Sequence, residues 1–309
     1  MDGTPAQAPA RRARRPFRLA AVLLLVAATT VLVTTTRREA ARLVTSPSGT
    51  RPIPMQLPSG VGLPYQSVHV IAEDGMKTVG WYVRGTHDAL VLVQHGYKGH
   101  RGEMLGVAGA LARHGYHVLI TSIRGHDRSD GELVTFGVHE VKDLAAWHRL
   151  ASGLAGVDPA RIGLFGSSMG GSIAIQYAAA APAIRALVSE SAFSSLDDTI
   201  AFSVPHQTGL PAFPFAPLIV FWAERLAGFD ASTVDAKQWI TRLAPRPVLL
   251  LQGGRDEFIR PDSGQLLYDA AGEPKQLWFD PEVGHARFVH DRPEEFEERV
   301  VGFFDRYLR

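Results

Sequence analysis

The sequence predicts an α/β fold: a mostly parallel central sheet with helices on both faces, an inserted helical cap, and one N-terminal transmembrane helix ahead of it. Three observations carry this. Short apolar runs and helical stretches alternate from about residue 89 to the C-terminus, as successive βα units do. The alternation breaks once, for roughly fifty residues between Phe193 and Pro245, longer than an ordinary connection. Residues 19–36 form a nearly unbroken apolar run behind a cluster of arginines, the pattern of a membrane span.

The elements follow in order. SVHVIAEDGMKTVGWYVRG holds two β-rich runs around Asp74-Gly75, a hairpin signal. ALVLVQH (89–95) reads as a buried strand, 101–115 as a helix ending at Gly115, and YHVLITSI (116–123) as the next strand. An amphipathic helix over 137–153 precedes the strand RIGLFG (161–166), the helix MGGSIAIQYAAAA (169–181) and the strand AIRALVSE (183–190). Alternation resumes at PVLLLQG (247–253), with a helix near 261–271, a strand at KQLWFD (275–280) and a last helix over 293–308. Runs without polar alternation are expected of parallel strands covered on both faces. The interruption, about 194–245, is rich in Phe, Pro and Leu. Its size and apolarity predict a cap over a site; a helical layer packed only on the sheet is the alternative.

The first 64 residues divide into three parts. Residues 1–18 are a basic tail with Arg11, Arg12, Arg14, Arg15 and Arg18. Leu19–Val33 is apolar, and Thr34–Thr36 extend it, since a helical Thr can bond its own backbone. Eighteen residues at about 1.5 Å each give roughly 27 Å, enough for a bilayer core. TTTRREAAR after Val33 offers no small-residue cleavage site, which favours an uncleaved signal anchor over a cleaved signal. RRPF at 14–17 resembles part of a twin-arginine signal. The heavier Arg cluster precedes the span, placing the N-terminus in the cytoplasm and the rest outside, although Arg37, Arg38 and Arg42 follow it. Residues 37–64, Pro/Gly-rich from Thr45, read as an extended linker. The globular domain is expected over 65–309.

Composition bounds the chemistry. The chain has 309 residues, 46% hydrophobic, and no cysteine, which excludes disulfides, thiolate zinc sites and a cysteine nucleophile. Residues 1–60 hold nine Arg, no Lys and two acids of the chain's 32 bases and 31 acids, leaving residues 61–309 with a net charge of −6. A mildly acidic domain gives no electrostatic reason to expect nucleic acid as a partner.

The central chemical signal is Gly166-Ser167-Ser168-Met169-Gly170, a G-x-S-x-G between a strand and a helix. That context turns a short motif into a nucleophile elbow with Ser168 at its tip and the Met169 N–H facing a developing oxyanion. Ser167 lacks the motif register. A serine hydroxyl needs a base, usually a His oriented by a carboxylate. Asp256 in LLLQGGRDEFIR and His285 in LWFDPEVGHAR each follow a strand, where ligands sit in open α/β sheets. Glu190 is the reserve acid and His290 the reserve base. In His95-Gly96-Tyr97-Lys98-Gly99, Gly96 permits close backbone approach, Tyr97 N–H is the expected second oxyanion donor, and His95 is expected to brace the loop.

Taken together, HGYKG, SIRGHDRSDGE, GSSMGG, QGGRDEF and GHAR resemble the motifs of the α/β-hydrolase superfamily, in order, over about residues 65–309. His126 stands where that family usually has Gly. VSESAFSSL followed by a cap is similar to the Bem46-like and serine-aminopeptidase-like branch. The resemblance implies the α/β-hydrolase fold, triad roles for Ser168, Asp256 and His285, and oxyanion roles for Tyr97 and Met169. It implies hydrolysis of a small-molecule acyl ester or thioester through an acyl-enzyme, with no metal or organic cofactor; the apolar cap and the membrane tether favour acyl-chain or lipid-like esters. A serine peptidase using the same triad and a non-catalytic membrane-tethered binding module are the alternatives.

Overall fold

The computed structural model describes residues 14–309. The part of the expected basic tail that includes Arg11 and Arg12 lies outside the described residues. Eight strands form one sheet: β1 (Tyr65–Ile71), β2 (Lys77–Val83), β3 (Leu90–Gln94), β4 (His117–Thr121), β5 (Ile162–Ser167), β6 (Ile184–Glu190), β7 (Val248–Arg255) and β8 (Lys275–Gly284). Their order is β1-β2-β4-β3-β5-β6-β7-β8. The hairpin β1–β2 and the β2–β4 pair are antiparallel, and the six strands from β4 to β8 run parallel.

Helices cover both faces, which explains the unbroken apolar strands. Leu90, Leu92, Leu119 and Leu164 point to one core, shared with α3 (Glu140–Ser152) and α4 (Met169–Ala180). Val91, Val93, Ile120 and Phe165 point to the other. It is covered by α2 (Leu105–Arg113) and a C-terminal helical run ending in Gly302–Leu308. Every residue of β3 and β4 is buried.

The interruption between β6 and β7 is helical. It comprises α5 (Leu196–Thr208), α6 (Ala212–Ala227) and the short α7 (Ala236–Ile240). Ser195 caps α5 by accepting a hydrogen bond from the Asp198 N–H, and Gly209 ends it in the left-handed region, where glycine pays no Cβ penalty. The α5 and α6 axes turn by 115° across Gly209–Pro211.

Ahead of the sheet runs one long helix, α1 (Arg14–Val44). Its stretch Phe17–Val44 is long and apolar enough to cross a membrane. The helix passes the expected end at residue 36 because Thr36, Ala40 and Val44, spaced one turn apart, are fully buried and α1 packs along α6. The segment expected as a linker is pinned rather than free. Ser46 N–H donates to the Glu132 carbonyl at 2.8 Å, and the Arg51 guanidinium donates to the carbonyls of Ser46, Ser129 and Gly131.

Candidate active site

Ser168 sits on the turn between β5 and α4 with φ 56° and ψ −125°, a conformation that costs a non-glycine residue energy and persists only when its surroundings enforce it. They do so by close approach. A Cβ at Gly166 would lie 2.3 Å from the Gly170 carbonyl oxygen, and one at Gly96 would lie 2.9 Å from the Ser168 Cβ. The Ser168 N–H donates to the Glu190 carbonyl at 2.7 Å, fixing the turn to the end of β6.

The sheet register brings the partners to the serine. Arg255 pairs with Gly284 across a bulge between β7 and β8. The residues that directly follow the two strands are Asp256 and His285, so their side chains emerge together at the C-terminal edge. Ser168 Oγ and His285 Nε2 are 2.8 Å apart, and His285 Nδ1 lies 2.7 Å from Asp256 Oδ2. Asp256 is buried, and its other oxygen accepts the N–H groups of Phe258 and Ile259 at 2.9 and 2.8 Å. Those bonds leave Oδ2 aimed at the imidazole and fix the Nδ1–H tautomer, with Nε2 free to accept from the serine. Ser168, Asp256 and His285 are thus assembled in one chain of hydrogen bonds.

Tyr97 and Met169 flank the serine, and among the described residues neither of their N–H groups donates a hydrogen bond within the protein. Two free amides beside a nucleophile are what a developing oxyanion requires. The loop carrying Tyr97 is braced on several sides. His95 Nδ1–H donates to the Gly96 carbonyl at 2.8 Å while Nε2 accepts from Ile123 N–H at 3.2 Å. Burial holds its pKa well below the ordinary value, so it stays neutral and can make both bonds. His126 does the same from below: Nε2 accepts the Lys98 N–H at 2.9 Å and Nδ1–H donates to the Arg124 carbonyl at 2.9 Å. Lys98 has φ 52°, so this bond holds a strained loop residue. The sequence marks His126 only as a departure from the family pattern; its bracing depends on a contact across 28 residues.

The reserve residues lie elsewhere. Glu190 makes no bond to His285; its carboxylate accepts the Phe288 N–H at 3.1 Å, and full burial pushes its pKa up to about 7. His290 is exposed on the short helix Phe288–Asp291 and has no part in the cluster. Ser167 is buried at the end of β5. Further out, Arg124 ties the loop after β4 to Asp143 of α3 and to Asp74 of the hairpin turn, both at 2.7 Å.

Above the serine lies a cavity of about 480 Å³ walled in part by the cap, with Leu196, Ile200 and Val204 of α5, Ile219 of α6, Phe136 and Leu43 among its lining residues. Leu43 belongs to α1, a contribution the sequence reading missed. The one-sided stripe Thr36-Ala40-Val44 is the signal that could have exposed it, since a helix end that buries one face packs on the domain.

An eight-stranded α/β sheet with a serine elbow after β5 and an acid and histidine after β7 and β8 defines the α/β-hydrolase class, and the chain belongs to this superfamily. The alpha/beta hydrolase fold family matches residues 89–229. The uncharacterized protein Rv2307c of Mycobacterium tuberculosis is 33% identical over 268 residues, which is 84% of this chain and 83% of that protein. Protein bem46 of Schizosaccharomyces pombe is 26% identical over 188 residues, 60% of this chain and 57% of that one. Among solved structures, the Pyrococcus furiosus esterase Pf2001 superposes with a TM-score of 0.73 at 26% identity, over 86% of this chain and 99% of the esterase.

Proposed function

We propose that this protein is a membrane-anchored serine hydrolase that cleaves carboxylic ester or thioester bonds of acyl or lipid-like substrates. The observation that carries the proposal is the continuous bond chain Ser168–His285–Asp256, with distances of 2.8 and 2.7 Å, opening into an apolar cavity. The similarity to an esterase structure supports it. Ser168 Oγ attacks the substrate carbonyl as its proton passes to His285 Nε2. The tetrahedral oxyanion is held by the N–H groups of Tyr97 and Met169, each such donor being worth about 100- to 1000-fold in rate. His285 then gives its proton to the leaving alcohol or thiol, and the acyl-enzyme forms. Water, deprotonated by the same imidazole, cleaves it and regenerates Ser168. Asp256 keeps the imidazole in its productive tautomer and stabilises the imidazolium. Every proton that leaves the serine or water is passed on by His285, so these residues complete the cycle without a metal or cofactor.

Apart from Arg18, Thr29 and Thr30, the exposed side chains over Phe17–Val31 are apolar, Leu24 being 71% and Leu25 68% exposed. A helix of that kind needs lipid around it, which supports α1 as a membrane anchor, and the arginines ahead of the span favour a cytoplasmic N-terminus with the hydrolase domain outside. Alkaline extraction should leave the full chain in the membrane pellet, and recovery of a soluble form starting near residue 37 would refute the anchor.

Purified full-length protein should hydrolyse 4-nitrophenyl esters and react with a fluorophosphonate, and Ser168→Ala should abolish both, with kcat down by about 10⁴-fold or more. Faster turnover of aminoacyl amides than of esters would favour a peptidase. No reaction with either substrate class or with the probe would leave a binding module.

A further inference from the structure

The long helix changes character along its length. Its described side chains are exposed on all faces as far as Val31, and then the pattern turns one-sided. Thr36, Ala40 and Val44 are fully buried on one stripe while Arg37, Arg38 and Arg42 stay exposed. The buried stripe packs against α6, and the Arg37 guanidinium lies 5.9 Å from the centre of the Trp222 ring. The wall of the cavity and the apolar span are therefore one continuous helix. Leu43 is ten residues beyond Val33, a rise of about 15 Å.

The end of this helix also holds the loop that carries Tyr97. Terminal carbonyls of a helix have no intrahelical donor. Here the Leu43 carbonyl accepts from Tyr97 Oη at 2.7 Å, and the Arg42 carbonyl accepts from Lys98 Nζ at 2.9 Å. The side chains of Glu39, Arg42 and Leu43 complete the cavity lining on that side. The pocket thus joins an apolar interior to a charged rim, Glu39, Arg42 and Lys98, at the foot of the span. On α6, beside α1, Phe213 is 81% and Phe221 39% exposed, apolar rings of the kind that sit in a membrane interface.

We infer that the last turns of the N-terminal helix are a substrate-binding element, and that the cavity takes an amphiphilic acyl ester drawn from the membrane surface. The inference rests on the anchored-esterase proposal above. A rigid helix shared by span and pocket sets the pocket mouth at a fixed height from the bilayer. An ester whose chain lies in the lipid and whose head lies at the charged rim then reaches Ser168 without crossing bulk water. The carbonyls that hold Tyr97 and Lys98 make residues 42 and 43 positioning residues for the oxyanion loop as well.

The test uses the full chain in phosphatidylcholine vesicles with a long-chain alkyl fluorophosphonate that bears a diazirine near the end of its chain. After reaction at Ser168 and irradiation, peptide mass spectrometry should find cross-links within residues 36–44. Cross-links confined to α5 and α6 would overturn the inference. Leu43→Trp should lower the ratio of kcat/KM for a long-chain ester to that for the acetate at least tenfold, and Arg185→Ala, exposed on β6 and outside the cavity lining, should leave the ratio within twofold; an unchanged ratio in Leu43→Trp would overturn it. At constant bulk concentration, diluting the long-chain ester with more phosphatidylcholine should slow hydrolysis, and a rate set by bulk concentration alone would overturn uptake from the membrane. Absence of any labelling at Ser168 would instead remove the esterase proposal beneath, and this inference with it.

Discussion

Glu190 joins the serine turn to the loop that carries His285: its carbonyl accepts the Ser168 N–H at 2.7 Å, and its carboxylate accepts the N–H of Phe288, three residues past His285, at 3.1 Å. A fully buried carboxyl is costly to ionise. Burial raises its pKa from 4.5 to about 7 despite the opposing hydrogen bond from Phe288 and the attraction of His285. A raised folded-state pKa means that the folded protein holds more protons than the unfolded chain between about pH 4.5 and 7, so this contribution falls as pH rises through that window. The shift corresponds to about 3 kcal/mol. Glu190→Gln keeps an acceptor for Phe288 and carries no titration. In denaturant melts, the variant should gain stability over wild type between pH 5 and 8, and a pH-independent difference would refute the assignment.

Asp256→Asn tests the tautomer control. The Asn oxygen can still accept the amides of Phe258 and Ile259, which turns its NH₂ toward His285 Nδ1. The imidazole then carries its proton on Nε2 and cannot accept from Ser168. In a serine protease triad the same substitution costs about 10⁴-fold in kcat, and a loss of about 10³-fold or more is expected here. Steady-state hydrolysis of a soluble ester measures it, and a loss under tenfold would exclude Asp256 from this role.

His126→Ala tests the brace beneath the oxyanion loop. It removes the acceptor of the Lys98 N–H and frees a backbone held at positive φ. Displacing an oxyanion donor by a fraction of an ångström affects the transition state more than the bound ester, so kcat should fall about 10- to 100-fold with a smaller change in KM. His126→Asn, which can place an acceptor near the same amide, should recover part of the loss. Equal kcat in wild type and His126→Ala would show that the loop does not need this bond.

Arg124→Met tests the buried ion pairs. The Asp143 side chain is 1% exposed and bonded to Arg124 on both oxygens. Burial already pushes its pKa up to about 6, against the pull of Arg124. Removing the cation leaves an uncompensated buried acid, a loss of about 3–5 kcal/mol. Urea denaturation should record it most fully above neutral pH, and lowering the pH should return part of it as Asp143, released from the downward pull of Arg124, takes up a proton at a higher pH than in the wild type.

The sequence by itself determined the class of sheet, the serine elbow, the order of acid and histidine, the capping insertion and the apolar span, because each is written in local periodicity or in a motif whose neighbours define its context. The tertiary structure alone decided the rest. Whether Asp256 or Glu190 faces His285 depends on which strand lies beside β8, and the pairing of Arg255 with Gly284 answers it. That His126 braces the Lys98 amide, and that Leu43 walls the cavity, depends on chain segments brought together across 28 and 54 residues. A sequence pattern reports which face of an element is apolar; it does not report what that face meets. That choice is made by packing between elements, which is why the apolar span was legible in the sequence and the contact of its helix with the cavity above Ser168 was not.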